Sequence, residues 1–547
     1  MSATSKNKLF SKWRALIWPI YHYDLSKFLP LFFLAFFIGF NYTVLKNMKD
    51  ALLVSTAGAG AEVIPFIKVW GIVPGAVLMT AFYGFLSNKH NKRTVFFILV
   101  GFFSIFFILF SCVMYPCQEY LRLDALSDRL SLILPQGFKG LVAMIRYWSF
   151  SLFYVMSELW GSVVLSTLFW SLANEITSVS EASRYYALIN TAINLAGLFA
   201  GLFSVWISTP IFLRFVVDEW HNIIILLTIF ISISSIFVLF LYNFSYQKQN
   251  KKLIKEETFV KDSLISLKVN QKKEERERVK LPKLFSYISH SRYLLYIAAL
   301  VLSYNLTIHL FEVVWKDQVS NLYPSPIDFN MYMGRVSSFT GIVSTLTSLL
   351  ISGHLIRKFG WTLSAFLTPL IMFVTGSVFF ITIFLFQKNS SMLSFLGMHS
   401  PLSCIVFLGS VQNILSRTSK FTFFDITKEM AFIPLSPEAK RRAKAVIDGV
   451  VSRVGKSGGS FLYQFLLILF STISASINVV SFLLIFIFIS WSLSIFGLSK
   501  KFSQLTIDEN QSADVVNFND KNVILSTYNT IEDLTPSSLK EITPVIK

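Results

Sequence analysis

Long apolar stretches alternate with short polar ones along most of the chain. Stretches such as 28–40, 94–114 and 481–498 approach the roughly 20 residues that an α-helix needs to cross the hydrocarbon core of a bilayer. The predicted spans lie near residues 28–46, 63–87, 94–115, 147–173, 184–208, 221–243, 293–316, 336–356, 362–386, 401–424, 445–470 and 475–499. This pattern predicts an all-α integral membrane protein with about 12 transmembrane helices in two six-helix halves.

The spans divide the chain into five predicted segments. These are a cytoplasmic N-terminal segment (1–27), the first six-helix half (28–243), a basic cytoplasmic linker (244–291), the second six-helix half (292–500) and a flexible C-terminal tail (501–547). The first apolar stretch begins after residue 27 and has no small-residue cleavage site, so an uncleaved first span is expected rather than a signal peptide.

Composition and charge support a membrane protein. Hydrophobic residues make up 54% of the chain and charged residues 15%, with a mean hydropathy of +0.59, well outside the averages for soluble domains. The net charge of +18 resembles that of a nucleic-acid-binding protein. However, the basic residues concentrate between the apolar stretches, and the linker has few aromatic residues for base stacking. We therefore expect membrane lipid and no nucleic acid as partners, with both termini in the cytoplasm.

A short loop pattern occurs once in each half. Gly84 precedes Asn88 and Lys89, and Gly353 precedes Arg357 and Lys358 at the same offsets. Both patterns lie at the cytoplasmic end of the second span of their half. This is similar to the Gly-plus-basic loop of major facilitator carriers, in which two parallel six-helix repeats enclose a site at the middle of the membrane. The resemblance implies a major-facilitator-like fold.

Several ionisable residues lie within predicted spans, where each costs at least ~2.5–3.5 kcal/mol unless it has a partner, a cavity or a role. They are Lys46, Lys49 and Asp50, which extend the first span, Glu158 in the fourth, Glu312 in the seventh, and Arg453 and Lys456 in the eleventh. Such residues are candidates for a substrate-binding site.

The sequence leaves two arrangements of these charges open. Repeat symmetry would place Lys49 and Glu312 on opposite walls of one cavity, where they share a ligand. Alternatively, Lys46 with Asp50, and Glu312 with Lys316, form local ion pairs at i,i+4 spacing. The aromatic residues beside Glu158 can likewise stack on a planar base or serve as ordinary packing.

The tenth and eleventh spans add further candidates. Asn413, Arg417 and Lys420 lie on one helical stripe that suits an anionic, hydrogen-bonding substrate, or that simply emerges into the cytoplasm. The Gly455–Gly459 stretch contains Lys456 but lacks the spacing of a phosphate-binding loop and a preceding strand, which argues against an ATPase. The glycines of this stretch predict that the eleventh span packs closely against a neighbouring helix. The three cysteines have no metal-ligand spacing, so no metal, cofactor or catalytic residue is expected.

Motifs along nearly the whole membrane region resemble the ATP/ADP translocase or nucleotide transporter family of obligate intracellular bacteria and plastids. The matching stretches are residues 40–50, 60–68, 157–162, 174–177, 312–316, 357–361, 412–416, 424–431 and 455–459. The resemblance implies a carrier that exchanges or imports nucleotides, not an enzyme, in the inner membrane of an intracellular bacterium. It also implies four essential charged positions, which fall on Lys49, Glu158, Glu312 and Lys456.

One departure from the family pattern bears on the substrate. Where the strict ATP/ADP exchangers carry a glycine-rich stretch, this chain has residues 188–194, with Asn190 added and Asn194 retained. This favours import of a wider set of nucleotides (ATP, GTP, UTP and CTP, or ADP), with protons as a coupling ion on Glu158 or Glu312. The alternatives are a strict ATP/ADP antiporter, a carrier for another organic phosphate, and a membrane ATPase or channel.

Overall fold

The computed structural model of the protein describes residues 18, 20–55, 60–177, 179–209, 218–263, 291–350, 352–388 and 400–532. Within these residues, regular secondary structure is helical and no strand forms. The long helices are α1 Leu25–Val54, α2 Val63–Lys89, α3 Lys92–Met114, α4 Trp148–Ile176, α5 Val179–Ile207, α6 Glu219–Ser263, α7 Arg292–Leu322, α8 Pro326–Leu350, α9 Gly360–Phe386, α10 Pro401–Ser419, α11 Ser452–Phe470 and α12 Ile473–Glu532. Each lies at a predicted span, which confirms the all-α membrane fold.

The helices differ in how apolar they are. Within the described residues, nine are long and apolar enough to cross a membrane, and the other three are α8, α10 and α11. Polar residues interrupt the apolar sequence of α10 and α11, among them Asn413 and Lys456. These more polar helices carry several of the candidate site residues.

The two ends of the bundle have different packing. We call the end that carries residues 115–147 the outer end and the end that carries residues 89–92 the inner end, which the lysine distribution predicts to be cytoplasmic. At the outer end, the loop before α4 packs across both halves. A Cβ added at Gly137 would lie 2.4 Å from the Leu467 carbonyl oxygen, and one at Gly140 would lie 2.3 Å from the Glu62 carbonyl oxygen. The outer end is therefore closely packed.

Helices α5 and α8, which come from different halves, cross in close contact through glycines. A Cβ added at Gly201 would lie 2.3 Å from the Gly334 carbonyl oxygen, and one at Gly341 would lie 2.7 Å from the Asn194 carbonyl oxygen. Further toward the outer end, the Asn330 amide donates to Ser208 Oγ at 3.3 Å. Because small residues let two helix backbones touch, this crossing joins the halves in the outer part of the bundle.

We expect Gly201→Ala to destabilise the protein by about 1–3 kcal/mol, because the new methyl group meets backbone that has no room to move. Gly197→Ala, one turn earlier on the same helix, is the matched control, since its Cβ would meet no atom closer than 4.0 Å. Thermal unfolding of the purified protein measures the difference. A melting temperature for Gly201→Ala equal to that of Gly197→Ala would contradict the close crossing.

Three features lie at the inner end. Helix α6 continues to Ser263, and α12 continues to Glu532, so residues 501–532 of the predicted flexible tail have helical backbone. Gly360 adopts a φ of +75°, which favours glycine, and it separates α9 from the helical segment before it. The division into five segments stays a prediction, and parts of the N-terminal segment, the linker and the tail lie outside the described residues.

Candidate functional site

Lys49 and Asp50 lie buried near the outer end of α1, with exposed fractions of 2% and 0%. Lys49 Nζ is 3.1 Å from Asp50 Oδ1 and 3.0 Å from Glu158 Oε1 on α4. Tyr154 lies one turn before Glu158 on the same face of α4, and the Lys49 ammonium is 3.5 Å from the centroid of its ring. Two carboxylates and an aromatic face thus compensate the buried ammonium.

Glu312 is the centre of a second cluster, which draws residues from both halves. Its Oε1 is 3.1 Å from both Lys316 Nζ and Arg417 Nη2, and its Oε2 lies 3.7 Å from Lys68 Nζ on α2. Lys68 Nζ is also 3.0 Å from His309 Nδ1. Glu312 is therefore the most heavily paired carboxylate of the site.

A direct ion pair joins the two clusters across the halves. Lys316 Nζ lies 2.8 Å from Asp50 Oδ2, and both side chains are at most 1% exposed. The result is a charge chain of alternating sign, which runs Glu158, Lys49, Asp50, Lys316, Glu312, Arg417. Alternation gives every buried charge an opposite neighbour, which such groups need in order to leave water. Only the two ends of the charge chain are partly open, at 27% exposed each.

The structure distinguishes between the two arrangements left open by the sequence. Glu312 and Lys316 form the local pair, whereas Asp50 pairs with Lys49 and Lys316 rather than with Lys46. Within the described residues, half-buried Lys46 has no carboxylate within 4.0 Å. Lys49 and Glu312 are linked through Asp50 and Lys316 instead of facing each other across a gap. Lys46 is thus a cation without an ion-pair partner beside a paired cluster.

The α11 cations take exposed positions. Lys456 and Arg453 are both exposed, and the Lys456 charge lies within electrostatic range of Glu158. The glycines beside Lys456 bring α11 against α7: a Cβ at Gly455 would lie 2.9 Å from that of Asn305. Close helix packing thus holds the helix that carries this lysine against α7, the helix of Glu312 and Lys316.

The two asparagines of α5 lie one turn apart, and Asn194 lies where α5 meets α8. Asn194 is half-buried, and its backbone carbonyl oxygen lies against Gly341. Asn190 is exposed and lies one turn nearer the inner end. Together with exposed Lys456, this leaves the inner side of the site accessible. Ion pairs at the inner end, such as Lys92 with Glu175 and Lys428 with Asp448, join helices of the same half. The arrangement is inward-facing.

Comparison with known proteins decides the family. The TLC ATP/ADP transporter family matches residues 3–502, almost the whole chain. The chain belongs to this family. The resemblance drawn from the motifs is therefore confirmed.

Several relatives are similar to this chain over most of its length. It is 49% identical over 508 residues to "ADP,ATP carrier protein 2" of Chlamydia pneumoniae, an alignment that covers 92% of this chain and 94% of the relative. It is 35% identical over 492 residues to "ADP,ATP carrier protein 1, chloroplastic" of Arabidopsis thaliana, with coverages of 89% and 75%. This TLC chain is a multi-pass membrane transporter of a nucleotide-carrier family, and it is not an enzyme.

One solved structure shows the fold. A bacterial homologue of the iron transporter ferroportin in an inward-facing state superposes with a TM-score of 0.52 at 14% identity, covering 86% of this chain and 100% of that one. At this identity, the similarity indicates a major-facilitator-like fold and nothing about substrate.

Sequence reasoning missed two residues of the site, Lys68 and His309, and it assigned Lys316 only to a local ion pair. Lys68 and His309 each lie within a predicted span, so the cost of burying an ionisable group would have identified them. No local signal indicated the pairing of Asp50 with Lys316, because the two residues are on different halves.

The balance of charge in the TLC site is positive. The three carboxylates are Asp50, Glu158 and Glu312, and the six cations around them are Lys46, Lys49, Lys68, Lys316, Arg417 and Lys456. The cations outnumber the carboxylates by three. A multiply negative ligand is the natural counterpart of such an excess.

Several site helices leave regular α geometry near these charges. Residues Ile67–Ile72 of α2, which include Lys68, are π-helical, as are Gly161–Phe169 just after Glu158. A Cβ at Gly161 would lie 2.4 Å from the Tyr42 ring, so this glycine makes room for an aromatic side chain of α1 beside the site. π-Helical turns widen a helix locally and often accompany functional positions.

Proposed function

We propose that this carrier moves nucleotides across the membrane by alternating access, with their phosphates bound at the central charges. The observation that supports this most strongly is the excess of three cations around a buried ion pair that joins the two halves. ATP and ADP are multiply negative, which suits a site where basic residues outnumber carboxylates. Family membership supports the same substrate class, since the similar proteins are named ADP,ATP carriers.

The inward-facing arrangement suggests the order of events. In this state, bound nucleotide exchanges with the cytoplasm through the inner end, past Lys456 and Arg417, the partly open cations. The carboxylates keep the empty site from excessive positive charge and are displaced from the lysines as phosphates arrive. For nucleotide to enter from the outer end, the Asp50–Lys316 and Lys68–Glu312 pairs and the α5–α8 crossing must separate. No covalent chemistry is required.

We further propose that the substrates include ATP, GTP, UTP and CTP, with proton symport. The exposed Asn190 supports a site unlike that of strict exchangers, because a polar amide replaces a small residue on the accessible side of α5. For the proton, the contacts favour Glu158. Glu312 faces four basic groups within 3.8 Å, whereas Glu158 has one ion-pair partner and is 27% exposed. Strict ATP/ADP antiport is the second candidate, and the names of the similar carriers favour it.

Uptake into intact expressing cells tests this proposal. We expect labelled ATP, GTP, UTP and CTP all to accumulate, and an uncoupler to reduce their uptake. Cells that carry an empty vector give the background, and preloading with unlabelled ADP tests exchange. Uptake confined to ATP and ADP, stimulated by preloaded ADP and insensitive to the uncoupler, would establish the strict antiporter instead.

The cellular location follows from the same relatives. A multi-pass carrier that is 49% identical to a Chlamydia pneumoniae protein fits the inner membrane of an intracellular bacterium. There, an inward-facing site is open to the cytoplasm, where imported nucleotide is released.

A further inference from the structure

We infer that Arg417 is a direct ligand of the nucleotide phosphates, positioned by Asn413 and held by Glu312 while the carrier is empty. The inference deepens the proposed function and rests on it. In the sequence, Arg417 is equally consistent with a basic helix end that emerges into the cytoplasm. In the structure, it lies at the end of the charge chain, with its Nη2 3.1 Å from Glu312 Oε1.

The guanidinium is fixed by two contacts and has donors left over. Arg417 Nε donates to Asn413 Oδ1 at 2.8 Å, and Nη2 donates to Glu312. A guanidinium has five N–H groups in a planar fork, so three remain for another acceptor. The side chain is 27% exposed, in contrast to Lys49 and Lys316 at 1%. Arg417 is therefore the central paired cation that an incoming anion reaches most easily.

Asn413 provides an independent indication of a ligand. It is 2% exposed, and its Nδ2 is buried without a hydrogen-bond partner. The orientation of the Asn413 amide is fixed, because a flipped amide would place its NH₂ group, a donor, against the N–H donor of Arg417 Nε. A buried, unpaired donor is costly, and an anionic acceptor bound at Arg417 would satisfy it. Asn413 and Arg417 together form a polar pair suited to a phosphate oxygen.

Glu312 can release Arg417 at little cost. When the guanidinium turns to phosphate, the carboxylate keeps Lys316 at 3.1 Å and Lys68 at 3.7 Å, so it is not left as an unpaired buried charge. Phosphate thus replaces one carboxylate at a planar fork that can donate more than one hydrogen bond to it. Glu312 then interacts more strongly with Lys316, which weakens the hold of Lys316 on Asp50 in the opposite half.

Equilibrium binding of ATP, ADP, AMP and adenosine to the full-length purified carrier in lipid nanodiscs tests the inference. For Arg417→Gln, we expect ATP affinity to fall by about tenfold to a hundredfold, ADP affinity by less, and adenosine affinity to stay unchanged. Arg417→Lys should recover part of the loss, because it restores charge without the planar fork. Lys428→Gln is the matched control, since Lys428 pairs with Asp448 outside the charge chain.

A second variant tests the positioning role of Asn413. Asn413→Leu should lower ATP affinity, and the double variant with Arg417→Gln should bind ATP no more weakly than Arg417→Gln alone, because both act on one contact. Equal losses for ATP and adenosine, or full ATP affinity in Arg417→Gln, would overturn the inference while the proposed function stands. A wild-type carrier that binds no nucleotide would overturn both.

Discussion

Replacing Lys49 with glutamine is expected to abolish nucleotide uptake. Lys49 is 1% exposed and is the shared partner of Asp50 and Glu158. Without it, buried Asp50 and half-buried Glu158 lose their common cation, and breaking a buried pair in this way costs about 3–5 kcal/mol. We expect initial uptake of labelled ATP to fall by about a hundredfold or more, which corresponds to that range of free energy. Uptake is to be compared at equal membrane levels of the carrier.

Lys456→Gln separates loss of substrate binding from loss of structure. Lys456 is exposed and, within the described residues, has no carboxylate within 4.0 Å, so its removal should lower uptake without changing thermal stability. Lys49→Gln should lower both. Wild-type uptake by Lys49→Gln would show that the charge chain is not part of the transport site, and would remove the main support for the proposed function.

Replacing Asp50 with asparagine is expected to open the outer end. The Asp50–Lys316 pair joins the halves at 2.8 Å, and its loss removes an interaction that the outward-facing state lacks. If the pair stabilises the closed outer end by only ~1.4 kcal/mol, the outward-facing fraction rises about tenfold. A cysteine at position 208 reports this change, because Ser208 is 1% exposed at the outer end of the seam between α5 and α8.

The measurement is labelling of Ser208→Cys by a membrane-impermeant thiol reagent added from outside, with Cys112, Cys117 and Cys404 replaced by serine. We expect faster labelling with Asp50→Asn, and also with Lys316→Gln, which leaves the Lys49–Asp50 contact in place. Asp448→Asn removes an ion pair within one half and should leave the rate unchanged. Unchanged labelling in both test variants would show that the pair does not hold the outer end closed.

Substrate binding at Arg417 and opening of the outer end are connected through the charge chain. When phosphate replaces Glu312 as the partner of Arg417, Glu312 interacts more strongly with Lys316. Lys316 is also the partner of Asp50 in the opposite half. Substrate binding and opening of the outer end therefore share one set of buried ion pairs. This gives a physical route by which an anion changes the relative stability of the two states of a carrier.

The sequence alone determined the helices and the residues that matter. Apolar stretches predicted the twelve long helices in the described part of the chain, nine of which are long and apolar enough to cross a membrane, because hydropathy is a local property of consecutive residues. The cost of burying charge similarly singled out Lys49, Glu158 and Glu312 without reference to any neighbour. Motifs over the same helices were sufficient to predict the family.

Only the tertiary structure decided which charges meet. Spacing along α1 allows Lys46 to pair with Asp50, yet Asp50 turns to Lys316 on the opposite half and Lys46 is left without an ion-pair partner in the described structure. Arg417 emerges into the cytoplasm or enters the site according to how α10 is rotated against α7, and no local pattern encodes that rotation. The physical reason is that helix positions follow from nearby residues, whereas ion pairs between helices depend on the packing of the whole bundle.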